Sequence, residues 1–389
     1  MTLMEVIAHN YYSITFTDML RLVLLIIVFL LSLLAVFRAP TYHLWLTAIV
    51  ITEFPLIGIT ITSGLLLWGY KVDKYVLPGT IVGVVALLIL LSPIVRIMML
   101  SSMLKQEMNV ALGAVDNTTS EPPFSISKMI TGIGAKQLES TTHFYDGRLT
   151  LDFYRSPTIG KRPCVIVVHG GSWAGGNSKQ LPELNTVLAN EGYHVASINY
   201  RLAPDVKSPA QVKDVAKAMH YLRVHAGELN IDTNQFVLLG RSAGAQITLV
   251  AAYTFHDPSI KGVVSFYGPS DMIWGYSLPA NKLVFDSRKV MVDYLGGTYE
   301  EVPQQYFNSS AIEFVTPRSP ATLLIHGPID PLVHYDHSTR LSAKLTKNHV
   351  PYYFLSLPCG THGCDYSLNG PSGQLTTYSV LRFLKSVCK

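Results

Sequence analysis

The chain has 389 residues, a formal net charge of +4 and only 14% charged residues, against roughly a quarter in a typical soluble protein. So slight a positive balance argues against a nucleic-acid partner. Four cysteines in a chain of this length, with no CxxC pair, argue against a disulfide scaffold or a zinc site. Hydrophobic residues make up 49% of the chain, and the excess is crowded into the first hundred positions.

Three long apolar runs open the chain, at about 19–37, 44–70 and 75–100. A helix needs about 20 apolar residues to cross the hydrocarbon core of a bilayer. Residues 1–104 are therefore expected to form a multi-pass membrane region of three transmembrane helices, joined by "RAPTYH" and "KVDK". The residues ahead of the first run carry Glu5 and Asp18 and no lysine, unlike the basic start of a secretory leader, so the first helix is expected to be retained. Arg21, Lys71 and Lys74 fall on one side, and Arg38, Arg96 and Lys105 on the other. That balance leaves the membrane face of the remaining chain open. Glu53 sits inside the second run, beside Pro55. No second charge lies at the same membrane depth to form a relay, so the acid is read as a packing residue.

Residues 105–142 are polar and bear glycine and proline, as a linker does. From 143 to 389 the pattern changes. "LTLDFYRS" (149–156) alternates like an antiparallel strand, and short apolar strands follow at 163–171, 194–202, 235–240, 260–268, 321–327 and 352–358. Helical stretches lie between them, near 181–191, 211–229 and 337–347, with a last helix at about 374–387. This alternation means an α/β fold with a mostly parallel central sheet and helices on both faces. Ligand chemistry in such sheets gathers at the carboxyl ends of the strands. The segment at about 269–318 is too long for a bare loop and is rich in aromatics, so a helical cap is expected there.

"GRSAG" (Gly240–Gly244) places Ser242 between an apolar strand and a helix. That context makes it a nucleophile elbow, where a tight turn strains the serine backbone and leaves no room for side chains at the glycines. A serine hydroxyl needs a base. His362, in "CGTHGCD", follows the last strand, and Asp330, in "HGPIDPLV", follows the strand before it. The order Ser, Asp, His matches this topology. Asp336 and Asp365 are rival acids: the first falls at a helix start, the second close in sequence to His362. "HGGSW" (His169–Trp173) closes another strand. The backbone N–H groups of Gly170, Gly171 and Ala243 are expected to form an oxyanion hole. His169 is expected to hold that loop and Trp173 to pack it.

Together, "HGGSW…NYRLAP…GRSAG…GPIDPLV…THG" resembles the α/β-hydrolase fold, in the esterase/lipase branch with an HGG-type oxyanion loop. That branch includes hormone-sensitive-lipase-like, feruloyl-esterase-like, kynurenine-formamidase and prenylcysteine-methylesterase relatives. The resemblance covers about 143–389 and says nothing of the apolar runs. Two positions depart from the hormone-sensitive-lipase group: Ser172 stands in place of a third glycine and Arg241 in place of an acid. The resemblance implies a serine hydrolase acting on a small or lipid-like carboxylic ester, with Ser242, Asp330 and His362 as its triad and no cofactor; the apolar runs add the expectation that it is membrane-anchored. An arylformamidase-like amidase, an acyltransferase on the same triad and a non-catalytic scaffold are the alternatives. Cys359 and Cys364 bracket His362 and are expected to form a bridge if the domain faces an oxidising compartment.

Overall fold

The computed structural model describes residues 16–72, 74–114, 122–132 and 137–388; Glu5 lies outside them. The first apolar run forms helix α1 (Phe16–Ser32), prolonged by a 3₁₀ turn at Leu33–Ala35. The second run departs from a single span. It breaks into α2 (Tyr42–Glu53) and α3 (Pro55–Trp68), with an 86° bend between the two halves. Pro55 is the cause: its ring disfavours helical geometry at the residue before it. Phe54 accordingly leaves the helix at φ −126°, ψ 49°. The third run forms α4 (Val76–Leu112), 37 residues and about 55 Å long. Helices α1 and α4 are each long and apolar enough to cross a membrane, and the bent pair counts as a third span if its halves are taken together.

Helix α4 also runs past the expected boundary at 104, and this changes how the two regions meet. Ile94, Ile97, Leu104 and Met108 recur at helical spacing on one face. They share a single buried cluster with Val165, Val167, Leu355 and Phe383 of the α/β region. Tyr353 donates its hydroxyl to Glu107 at 2.7 Å on the same seam. Residues 105–112 are thus packed helix, where a linker was expected.

Helix α5 (Ile126–Thr131) leads into an eight-stranded sheet in the order β1-β2-β4-β3-β5-β6-β7-β8. Its strands are β1 (Thr141–Asp146), β2 (Leu149–Tyr154), β3 (Arg162–Val168), β4 (His194–Ile198), β5 (Ile231–Arg241), β6 (Ile260–Phe266), β7 (Ala321–His326) and β8 (Tyr352–Ser356). Strands β3 to β8 run parallel, and β2 is antiparallel to both β1 and β4. Strand β1 went unread in the sequence, although Asp146-Gly147 is a strong hairpin signal and Gly147 takes φ +53° there.

Alternate strand residues feed two layers. Ile166 and Leu238 face α7 (Ala210–Val224) and α9 (Ala243–Thr254). Val165, Val167, Val237 and Leu239 face α6 (Pro182–Asn190) and α14 (Pro371–Val387). Helix α4 completes that second layer. A short α8 (Ala226–Leu229) precedes β5. The segment 269–318 is helical, with α10 (Met272–Ser277), α11 (Ser287–Leu295), α12 (Pro303–Ser309) and a 3₁₀ turn at Ala311–Phe314. Helix α13 (Asp336–Lys347) lies between β7 and β8.

Glu53 is buried at the join. Its Oε2 accepts from the backbone N–H of Ser372 at 3.2 Å and of Gly373 at 3.3 Å. Those are first-turn amides of α14, which carry the positive end of the helix dipole and have no partner inside the helix. The acid therefore ties the bent pair to the α/β region.

Candidate active site

Ser242 stands between β5 and α9, with φ +52° and ψ −119°. That strained conformation lifts its side chain out of the sheet edge. The flanking glycines are required by contact. A Cβ on Gly240 would lie 2.3 Å from the carbonyl oxygen of Gly244, and one on Gly244 would lie 2.2 Å from that of Val168.

Three side chains far apart in the chain meet here. The Ser242 hydroxyl lies 3.0 Å from His362 Nε2. On the other side of the ring, His362 Nδ1 lies 2.7 Å from Asp330 Oδ2. The carboxylate accepts only, so Nδ1 carries the ring proton and Nε2 is left to accept from the serine. Asp330 also accepts from the backbone N–H of Leu332 at 2.8 Å and of Val333 at 2.9 Å. A second histidine, His326, places Nε2 3.1 Å from the same carboxylate oxygen and its Nδ1 2.8 Å from the Ser338 hydroxyl. Burial by itself raises the Asp330 carboxyl. The facing His362 and His326, with the hydrogen bonds from both, outweigh it and hold the group well below the usual carboxylate range. Sequence reading missed His326, although it opens the quoted "HGPIDPLV" stretch.

The rival acids are occupied elsewhere. Asp336 opens α13 with a half-exposed side chain beside His334. Asp365 is buried against Arg241, whose Nε donates to it at 2.5 Å, and accepts from the Tyr267 hydroxyl at 2.6 Å. The Tyr267 ring in turn lies 4.4 Å from the His362 ring. Arg241, next to the nucleophile, thus clamps the histidine loop to the elbow. A third hold comes from the N-terminal region: Trp45 of α2 donates its indole N–H to the His362 carbonyl at 2.9 Å.

Of the three expected oxyanion donors, two are available. The N–H groups of Gly171 and Ala243 make no hydrogen bond among the described residues. The Gly170 N–H donates to Gln180 Oε1 at 2.7 Å, so a substrate oxygen would have to displace that amide. Gly171 takes φ +124°, and a Cβ there would strike the Gly175 carbonyl at 2.2 Å, so the loop requires glycine at that position. His169 holds the loop: Nδ1 donates to the Gly170 carbonyl at 2.7 Å, and the ring stacks on Tyr200 at 4.2 Å. Trp173 stacks on Tyr294 at 4.4 Å and donates to Gln246 at 2.9 Å.

Cys359 and Cys364 are both free and buried, so the conditional bridge is absent here. Cys359 Sγ accepts from Arg96 of α4 at 3.9 Å. Among the described residues no group of three or more His, Cys, Asp or Glu side chains is placed to hold a metal ion.

The BD-FAE family model matches residues 151–345. Esterase LipC of Mycobacterium tuberculosis is 28% identical over 256 residues, covering 61% of this chain and 62% of its own. The probable carboxylic ester hydrolase LipM of the same organism is 26% identical over 258 residues, covering 61% and 58%. The chain thus spans about three-fifths of the length of these relatives. Among solved structures, an esterase of Rhizomucor miehei superposes with a TM-score of 0.57 at 20% identity, covering 65% of this chain and 84% of that one. A truncated carbohydrate esterase from gut microbiota gives 0.54 at 22% identity, covering 65% and 99%. These likenesses, with the eight-stranded sheet, establish the α/β-hydrolase fold. The matches to LipC and LipM reach 61% of the chain and leave the rest unmatched.

Proposed function

The chain belongs to the BD-FAE family, and on that premise we propose that it is a membrane-anchored serine hydrolase that cleaves carboxylic esters through an acyl-enzyme. The observation that carries the reading is the unbroken line from Ser242 Oγ through His362 to Asp330, at 3.0 and 2.7 Å. Serine attacks the ester carbonyl while its proton passes to His362 Nε2. Negative charge gathers on the carbonyl oxygen, opposite the free N–H groups of Gly171 and Ala243. One such donor is worth about 3–4 kcal/mol in the transition state. The intermediate collapses, the C–O bond to the alcohol breaks, and the alcohol leaves with the proton held by His362. Water then attacks the acyl-serine, His362 takes its proton, and the carboxylic acid departs as Ser242 recovers its hydrogen. Throughout, Asp330 holds the imidazole tautomer and faces the imidazolium that forms. The anchoring part of the reading rests on α1 and α4, each long and apolar enough to span a bilayer.

A fluorophosphonate probe applied to intact and permeabilised cells tests the chemistry and the sidedness together. Labelling of the wild-type chain that vanishes in Ser242→Ala is the expected result. Equal labelling of both chains, or of neither, would remove Ser242 as nucleophile. Turnover of p-nitrophenyl butyrate against an N-formyl aryl amide separates ester from amide hydrolysis.

A further inference from the structure

A cavity of about 370 Å³ abuts the triad, a size suited to holding most of a small ligand. It touches the reaction centre through Trp173 and Asp330; Ser242 and His362 are not in its wall. Besides Trp173 and the residues that follow β7, two other parts of the chain supply its walls. Met272, Leu278, Phe285 and Met291 belong to the cap, and Ala39 and Pro40 belong to the link between α1 and α2. Part of the wall is therefore supplied by the segment that joins two membrane helices.

Beside the cavity the cap tip meets that link. The Tyr42 N–H donates to the Leu283 carbonyl at 3.1 Å, and Asn281 Nδ2 donates to the Pro40 carbonyl at 3.4 Å. Around this join Phe37 is 62% exposed, Leu278 46% and Leu283 71%. Exposed large apolar residues are sparse elsewhere on the α/β region and dense along α1 and α4, and these three add exposed apolar surface to the join. The polar exceptions in the wall do not demand a charged ligand. Arg38 turns its Nε to the Pro328 carbonyl at 3.1 Å. His337 Nδ1 accepts from the Asp271 N–H at 3.3 Å, which leaves the ring proton on Nε2. Burial, with His326, His334 and Arg340 nearby and Asp330 opposing them, pushes His337 down to about 3. It is therefore neutral at ordinary pH, and its Nε2–H serves as a donor rather than a cation.

We propose that this cavity receives the long hydrocarbon part of an ester dissolved in the bilayer, entering sideways between the cap tip and the link joining α1 and α2. The proposal rests on the hydrolase reading for its chemistry; its geometry is independent. A chain drawn in this way leaves lipid for an apolar wall without crossing water, so only the ester head is desolvated at the triad.

The test uses the full-length chain in phosphatidylcholine vesicles and has two arms. In the first, a long-chain alcohol bearing a diazirine at its tail is photolysed with the Ser242→Ala protein, which requires no turnover. Crosslinks at Met272 or Met291 that disappear in Leu278→Glu are expected; crosslinks confined to α1 and α4, or none, overturn the proposal. In the second, kcat/KM is compared for p-nitrophenyl laurate against butyrate and for dodecyl acetate against ethyl acetate. Leu278→Glu is expected to lower the long-to-short ratio about tenfold or more in at least one pair, while Leu278→Ile keeps it. Ratios unchanged in both pairs overturn the proposal and leave the hydrolase standing. A wild-type chain that hydrolyses none of these esters yet crosslinks in the cavity retains the binding site and sinks the hydrolase reading instead.

Discussion

Along α1, α3 and α4 large apolar side chains point outward: Val23, Ile27, Leu30, Ile57, Ile61 and Leu88 are all exposed. In the sheet the same residue types are fully enclosed, as at Val165, Ile166, Leu238 and Leu239. Such a contrast is what regions facing different solvents would show. Water drives apolar groups inward. A bilayer gives no such drive, and helices there meet through close packing and small residues. Gly83, for example, has no room for a Cβ, which would lie 2.6 Å from Leu66 and 2.9 Å from Leu25. Yet the regions are not hinged apart. The lower half of α4 belongs to the core of the α/β region, Glu53 meets the start of α14, and Trp45 holds the histidine loop. The apolar helices are thus packed into the α/β region and reach the loop that carries His362.

The sharpest break in the comparison lies at Ser242, His362 and Asp330, the proposed triad, all of which belong to the α/β region. Asp330→Asn is expected to lower kcat about 10⁴-fold with the protein still folded, because the amide favours the wrong tautomer of His362. Steady-state turnover of a soluble ester checks it. The same side chain makes an acid-limb prediction. Its carboxyl is held below the ordinary 3.8 in the folded protein, so the stability it contributes is present above that pH and lost as pH falls through the range below it. The stability gap between wild type and Asp330→Asn should therefore narrow on acidification past about pH 4, followed by chemical denaturation. A gap that widens instead would contradict the assignment of charge.

A smaller effect tests the seam. Ile97→Ala removes a fully buried side chain packed on the sheet layer and is expected to cost about 2–5 kcal/mol. Leu88→Ala, on the same helix at 62% exposure, is expected to change stability by less than about 0.5 kcal/mol. Equal losses at the two positions would mean that α4 serves only as an anchor. The smallest effect crosses between the regions. Trp45→Phe keeps an aromatic ring but leaves the His362 carbonyl without its donor, a loss of about 1 kcal/mol. We expect kcat to fall roughly fivefold with KM and the thermal midpoint nearly unchanged, and fluorophosphonate labelling to slow in parallel. A parallel loss of thermal stability would instead mark Trp45 as structural only.

The amino-acid sequence by itself determined the division into an apolar third and an alternating α/β region, because hydropathy and periodicity are local signals. It also determined the elbow at Ser242 and the chain order of Asp330 and His362, since strand ends and glycine turns are written in short stretches. Tertiary structure decided what depends on distant pairs. The 86° break beside Pro55, the continuation of α4 into the core, and the partners of Glu53 and Trp45 all join residues more than a hundred positions apart or set an angle that hydropathy does not encode. Contacts between residues close in the chain also went unread: His326 on Asp330, Gln180 on the Gly170 N–H, and the free thiols of Cys359 and Cys364. In each case the outcome turns on which buried polar group finds a partner, and that is settled only when separate elements are brought together.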